Sequence, residues 1–197
     1  MTATARWIMI GIISVIGSIG AWQYLARQEA TQAEAASVLY ESLLSAVREH
    51  DVPKAEALEQ KVVSEYPKTP YAVLSALLLA PIVPEKTIEY LEVAVRIGAK
   101  SPLVHIARVR LAMALAEKGK DSFEEALTLL NSVKPPEAFI RLYEEAKGDI
   151  YVQDNQIDKA KTAYAIALQA SPADVPTSWL ELKKSDLSDI SHSKEPS

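Results

Sequence analysis

The stretch GDIYVQDNQIDKAKTAYAIALQASP, Gly148 to Pro172, decides the fold. Gly148, Tyr151, Ala160, Tyr164, Ala167 and Pro172 stand in it at offsets 0, 3, 12, 16, 19 and 24. Each offset has a physical reason in two antiparallel helices joined by a short turn. Gly148 and Ala160 are small, so the two helix backbones can approach closely. Tyr151, Tyr164 and Ala167 fill the seam between this hairpin and its neighbours. Pro172 stops the second helix, because its nitrogen has no hydrogen to donate. One alanine or glycine carries no such information; six positions at fixed offsets do.

This is the spacing of a tetratricopeptide (TPR) repeat, a helix–turn–helix unit of about 34 residues. The same frame runs backwards through the chain. The small residue of the second helix recurs at Ala55, Thr87, Ala126 and Ala160, in steps of 32, 39 and 34. The residue seven later is Val62, Ala94, Val133 and Ala167, and the one four later is Glu59, Leu91, Leu130 and Tyr164. Glu59 departs from the apolar pattern and makes the first unit the weakest. A longer turn around Gly119, from Glu117 to Phe123, takes up much of the 39-residue step. The frame predicts hairpins over 36–68, 69–101, 102–136 and 137–173.

The punctuation agrees. Thr69-Pro70 and Ser101-Pro102 each put a hydroxyl before a proline suited to the first helical position. Ser122 with Glu125 has the spacing of a capping box. Gly98 and Gly119 stand where helices should stop, and Asp154-Asn155 is a turn pair that tolerates left-handed backbone. Strand-type alternation is almost absent. The expected class is all-α: one N-terminal transmembrane helix, then a TPR-type solenoid of about four hairpins with a capping helix. The expected divisions are an N-terminal tail and anchor over 1–25, a helical stalk over 26–36, the solenoid over 36–174, a capping helix over 175–187 and a disordered tail over 188–197. In the capping helix, Trp179, Leu180 and Lys183-Lys184 suit a segment that closes the last seam beneath a polar outer face.

Trp7 to Leu25 carries no charge and is about the length that crosses a bilayer core as a helix. Trp7 lies at one end and Trp22 and Tyr24 at the other, as interfacial aromatics do. A cleaved signal peptide is the competing reading, with Ile8 to Gly17 as its apolar region and Ser18-Ile19-Gly20 as the cleavage site. The length of the run favours the anchor. So does the absence of Gly and Pro between Ala21 and Val52, which lets the helix continue. Arg6 on one side, and Arg27 soon followed by Glu29 and Glu34 on the other, favour a cytoplasmic N-terminus with the repeats outside. Gly11, Ser14, Gly17, Ser18 and Ala21 form a small-residue stripe, which suits packing against another membrane helix.

The soluble part reads as non-enzymatic. It contains no phosphate-binding glycine loop, no zinc-spaced Cys/His set and no nucleophile elbow. No catalytic, cofactor or metal residues are expected. His50, His105 and His192 are scattered and read as solvated or locally capped, and Glu124-Glu125 and Glu144-Glu145 as helix-surface carboxylates. Arg108 and Arg110 read as partners for carboxylates of a neighbouring repeat, with anion recognition as the lesser alternative. With no cysteine there is neither a disulfide framework nor a lipid-bearing thiol. A net charge of −5 argues against nucleic acid as a partner. What remains is a binding surface. The first helix of each hairpin lines the inner face of such arrays. The frame puts Tyr40, Leu44 and Val47 there from the first unit, with Ala72, Ala76 and Leu79 from the second. Ile106, Val109 and Met113 follow from the third, then Leu142, Glu145, Asp149 and Val152 from the fourth. This mostly apolar groove suits an apolar segment of a partner or an unfolded client.

A family resemblance follows. The chain resembles the YfgM family, the ancillary subunit of the bacterial SecYEG translocon, from Ile12 to about Leu187. Gly20-Ala21-Trp22-Gln23-Tyr24 is similar to that family's segment at the membrane end. It is followed by an Ala/Ser-rich helix reaching Leu39-Tyr40. His105 to Ala112, Leu129 to Val133, the blocks Gly148 to Tyr151 and Ala160 to Tyr164, and the closing Leu182 to Leu187 are similar to its later segments in the same order. The resemblance implies a single-pass inner-membrane protein with periplasmic repeats. It would associate with SecYEG and the membrane-anchored chaperone PpiD, and assist newly translocated or unfolded clients. One departure is that six residues precede Trp7, where familiar members have a longer stretch. Two other functions fit the residues alone. One is an envelope assembly factor that self-associates through the small-residue stripe; the other is a secreted TPR protein freed of its first residues.

Overall fold

The computed structural model describes the backbone of residues 3–192 and the side chains of residues 22–24 and 27–187. Among these residues there are α-helices and two short 3-10 turns, and no strand. The chain divides by packing into two compact units, residues 1–75 and 76–197.

The first unit holds α1 (Ala3–Arg48), α2 (Val52–Glu65) and the start of α3 (Pro70–Leu79). The chain reverses after α1 at His50, whose φ is 59°. Asp51 then caps α2, its carboxylate accepting the Lys54 amide at 3.2 Å. That bond satisfies one of the donors a helix start leaves open. α2 folds back on α1. Ala36, Leu43 and Ala46 of α1 are buried, as are Ala55 and Val62 of α2. Glu59 stands between the last two and is also buried, only 7% exposed. Tyr66 closes α2 before Pro67, and the Thr69 hydroxyl donates back to the Tyr66 carbonyl at 2.9 Å.

The second unit continues through α4 (Thr87–Ile97), α5 (Leu103–Ala116), α6 (Phe123–Asn131), α7 (Glu137–Gln153), α8 (Ile157–Gln169) and α9 (Ser178–His192). The helices from α4 onward pack on their sequence neighbours, and α5 also meets α7. The turns fall where Gly, Pro and Asn require them. Gly98 closes α4. Ser101 Oγ accepts the Leu103 amide at 3.2 Å, which is cap geometry with Pro102 as the first helical position. Gly119 takes φ 109° and Asn155 φ 57°, both left-handed, and Asp154 ends α7. Ser122 occupies the cap position of α6, but its side chain makes no capping bond, so the expected box with Glu125 does not form. A 3-10 turn over Lys120–Ser122 runs straight into the helix and gives Ser122 helical backbone in place of the extended backbone usual at a cap.

Gly148 does what its size implied. A Cβ there would stand 2.9 Å from Tyr164 Cζ and nearer still to Cδ1 and Cε1. α9 then closes the stack: Leu180 and Leu187 are buried with Ala160, Tyr164 and Ala167, flanked by Tyr151, Val152, Ile157 and Leu168. The seam is sealed by Leu180 and not by Trp179, which is 63% exposed. One residue along a helix is a turn of about 100°, which carries Trp179 off the seam that Leu180 fills.

Among the described residues no helix is long and apolar enough to cross a membrane. Apart from Trp22, Gln23 and Tyr24, the expected anchor lies outside the described side chains, as do the whole small-residue stripe and the expected tail over 188–197, whose first residues nevertheless continue α9 to His192.

Candidate protein-interaction surface

α7 presents two faces by its register. Tyr143, Ala146 and Ile150 are buried, with Gly148 beneath the Tyr164 ring. Leu142, Glu145 and Asp149, at i, i+3 and i+7, form another stripe. That stripe meets α9. Lys183 Nζ donates to Glu145 Oε1 at 3.0 Å and to the two Asp149 oxygens at 2.8 and 2.9 Å. The Tyr164 hydroxyl donates to Asp149 Oδ1 at 2.6 Å. The ammonium also lies 5.8 Å from the Tyr164 ring centre and 5.7 Å from that of Trp179. Burial by itself lowers the Lys183 pKa, but its bonds to Asp149 and Glu145 outweigh that and hold it above the usual lysine range. Burial pushes the Tyr164 phenol up, and the Asp149 carboxylate beside it adds to the shift. Arg141 Nη2 reaches the Pro176 carbonyl at 3.5 Å, so the chain from Pro176 to Lys183 follows α7 from Arg141 to Asp149 in the same direction.

A second polar junction joins α5 to α7. His105 Nδ1 lies 3.0 Å from the Tyr143 hydroxyl, and its ring centre is 4.7 Å from that of Phe139. Arg108 Nη1 donates to the same hydroxyl at 3.4 Å, while its Nε is buried without a partner. Burial, with the Arg108 charge, lowers the His105 pKa. His105 is therefore a half-buried packing residue rather than a solvated one. The arginines do not meet carboxylates as expected: Arg108 takes Tyr143, and Arg110 donates to the Leu77 carbonyl at 3.0 Å. Nor are Glu144 and Glu145 simple surface groups. Glu144 pairs with Lys147 at 2.8 Å, and Glu145 with Lys183.

The expected groove residues divide accordingly. Leu79 and Val109 are buried in the second unit and are not available to a partner in this conformation. Val152 packs against the α8–α9 seam. Glu145 and Asp149 are engaged by Lys183. Met113 is half-buried. Ile106 and Leu142 remain open, 36% and 37% exposed. In the first unit Tyr40, Leu44 and Val47 are half-buried, and the Tyr40 ring centre lies 5.6 Å from that of Tyr71. Sequence reasoning did not pick out Trp179 and Leu182 as surface, or Lys183 as the partner of two carboxylates. A signal existed in the matched spacings of Glu145–Asp149 and Trp179–Lys183, each i, i+4. A separate cavity of about 470 Å³, lined by Asn131, Glu144, Lys147, Tyr151, Thr162 and Ile166 among others, opens along α7 and α8. Among the described residues no three His, Asp or Glu side chains stand together as a metal site.

The arrangement offers apolar and ionic contact groups. Residues 2–189 match the family model described as tetratricopeptide repeat-like domain. Over 170 residues the chain is 29% identical to a Haemophilus influenzae protein named ancillary SecYEG translocon subunit, covering 84% of this chain and 81% of that one. No solved structure matches. The chain belongs to the tetratricopeptide repeat-like domain family, and the name of its Haemophilus relative bears out the resemblance to YfgM.

Proposed function

We propose that this protein is a non-enzymatic adaptor of the SecYEG translocon. It is held in the bacterial inner membrane by its apolar N-terminal segment, with the N-terminus cytoplasmic and the helical repeats in the periplasm. There it receives newly translocated or unfolded clients and works beside a membrane-anchored chaperone of the PpiD kind. The observation that carries this reading is the likeness to a named translocon subunit along most of both chains. The physical features agree with it. Stacked helix pairs present side chains for recognising protein segments, and Ile106 on α5, Leu142 on α7, and Trp179 and Leu182 on α9 are exposed apolar side chains. Trp22 and Tyr24, 72% and 69% exposed at the end of the apolar run, suit a membrane interface. The test is crosslinking in intact membranes followed by mass spectrometry of the adducts. Translocon subunits and an envelope chaperone should be recovered. Recovery of neither, with only copies of this chain linked to one another, would replace the adaptor by a self-assembling scaffold.

A further inference from the structure

Among its described residues α9 buries two side chains, Leu180 and Leu187, where α7 and α8 bury four residues each. Its other anchor is ionic. Lys183 donates to Glu145 and Asp149, and the three side chains stay 20% to 24% exposed, so water and salt reach these pairs and weaken them. A 15-residue helix is marginal in water once undocked. Residues 170–177, with Pro172 and Pro176, separate it from α8, so it can leave while α8 keeps its own backbone bonds. Local opening is drawn from elements held by so few buried contacts. Departure of α9 uncovers a groove. Ala160, Tyr164 and Ala167, flanked by Tyr151, Val152, Ile157 and Leu168, lose their cover, and Glu145 and Asp149 lose their cation. α9 itself displays what fits there: leucine at i and i+7 with lysine at i+3, on one face of a helix.

We propose that α9 is a displaceable strap, and that the groove beneath it docks a helix of a partner protein carrying the same pattern, aliphatic at i and i+7 and lysine at i+3. The two carboxylates are occupied only while the strap is seated, so strap and partner helix compete for one site. A strap on the same chain acts at high effective concentration. It therefore rejects dilute helices and yields to one concentrated at the same membrane. A helix without the cation leaves Glu145 and Asp149 unpaired against it, which supplies the selectivity. The assignment rests on the adaptor reading and gives the chemistry of one partner.

The test uses the full chain in phosphatidylcholine vesicles, with hydrogen exchange read by mass spectrometry. Amides of α9 should exchange at least about tenfold faster than those of α8, a difference of about 1.4 kcal/mol in opening. The probe is a synthetic peptide of residues 177–192. It should speed exchange in the chain's own α9 saturably, while α7 and α8 keep their protection. The same peptide carrying K183E should have no such effect at equal concentration. L180S in the chain loosens the strap and leaves the groove intact, so the labelled peptide should bind that variant at least about tenfold more tightly by fluorescence anisotropy. K183A in the chain should act in the same direction and serves as the second variant. Equal protection of α9 and α8, no response to the peptide, an equal response to its K183E form, or unchanged affinity in both variants would overturn the strap. Dimers that trade α9 between copies while capturing no peptide would make a second copy the occupant and overturn the partner helix. Translocon crosslinks that persist through any of these outcomes leave the adaptor standing.

Discussion

At Gly148 a single hydrogen atom sets how closely α7 and α8 approach. The Tyr164 ring lies where a methyl group would go, and it is fixed from its far end by the bond to Asp149. G148A must therefore displace an anchored aromatic ring. Overpacking of this kind costs about 1–3 kcal/mol, which outweighs the helix propensity gained, about 1 kcal/mol at most. Urea unfolding should show the loss, and a variant as stable as the parent would mean that the ring moves freely. His105 gives a pH-dependent prediction. Its pKa is lowered in the fold, so the unfolded chain takes up the proton first as pH falls. The stability it contributes is present above the unfolded value near 6.5 and is lost as pH drops through the folded one. H105F keeps an aromatic ring against Phe139 and removes the proton. The stability difference between H105F and the parent should move in favour of the variant below pH 6.5, read from melting temperatures across the range. A pH-independent difference would show that the ring is equally protonated in both states.

At the scale of the element, α9 divides its residues by the helical turn. Leu180 is 1% exposed in the seam with Tyr164 and Ala167, while Leu182 is 48% exposed. L180A should cost about 2–4 kcal/mol, because it removes buried methyl groups and leaves a cavity. L182A should stay within about 0.5 kcal/mol. Comparable effects on thermal stability would mean that α9 is seated in a different rotation. Periodicity exposed most of this to sequence reading: the hairpin ends, Gly148 under an aromatic and the left-handed Gly119 and Asn155 follow from local spacing and backbone chemistry. The rotation of α9 was not readable in the same way. Trp179 is the largest apolar side chain of its segment, and burial was the natural expectation. Its exposure depends on Lys183, which bonds residues 34 and 38 positions away, and no window of local sequence contains both ends. The Ser122 cap failed for a local reason, because the 3-10 turn before it had already fixed its backbone. The arginines of α5 likewise found a phenol and a carbonyl because those acceptors, unlike surface carboxylates, face the helix–helix junction.

At the scale of the whole molecule, α1 connects the apolar N-terminus to the first helix pair without a break. From Arg27 to Ala36, where burial among the described residues begins, the helix advances about 14 Å at 1.5 Å per residue. On the adaptor reading, an arm of that reach holds the first helix pair close to whatever the N-terminal segment is anchored beside. Confinement of this sort gives effective concentrations in the millimolar range for short connections, so modest contacts suffice. Scattered exposed apolar side chains, such as Trp179 and Leu182, match that regime better than a high-affinity site would. A chain lacking residues 1–26, supplied to the periplasm at the same abundance, should retain its helical circular dichroism, since among the described residues burial begins at Ala36. Its crosslinks to the translocon should fall by at least about tenfold, in line with the loss of effective concentration. Raising its abundance should restore them in part. Undiminished crosslinking at equal abundance would mean that the repeats alone supply the affinity, and the tether would then need another explanation.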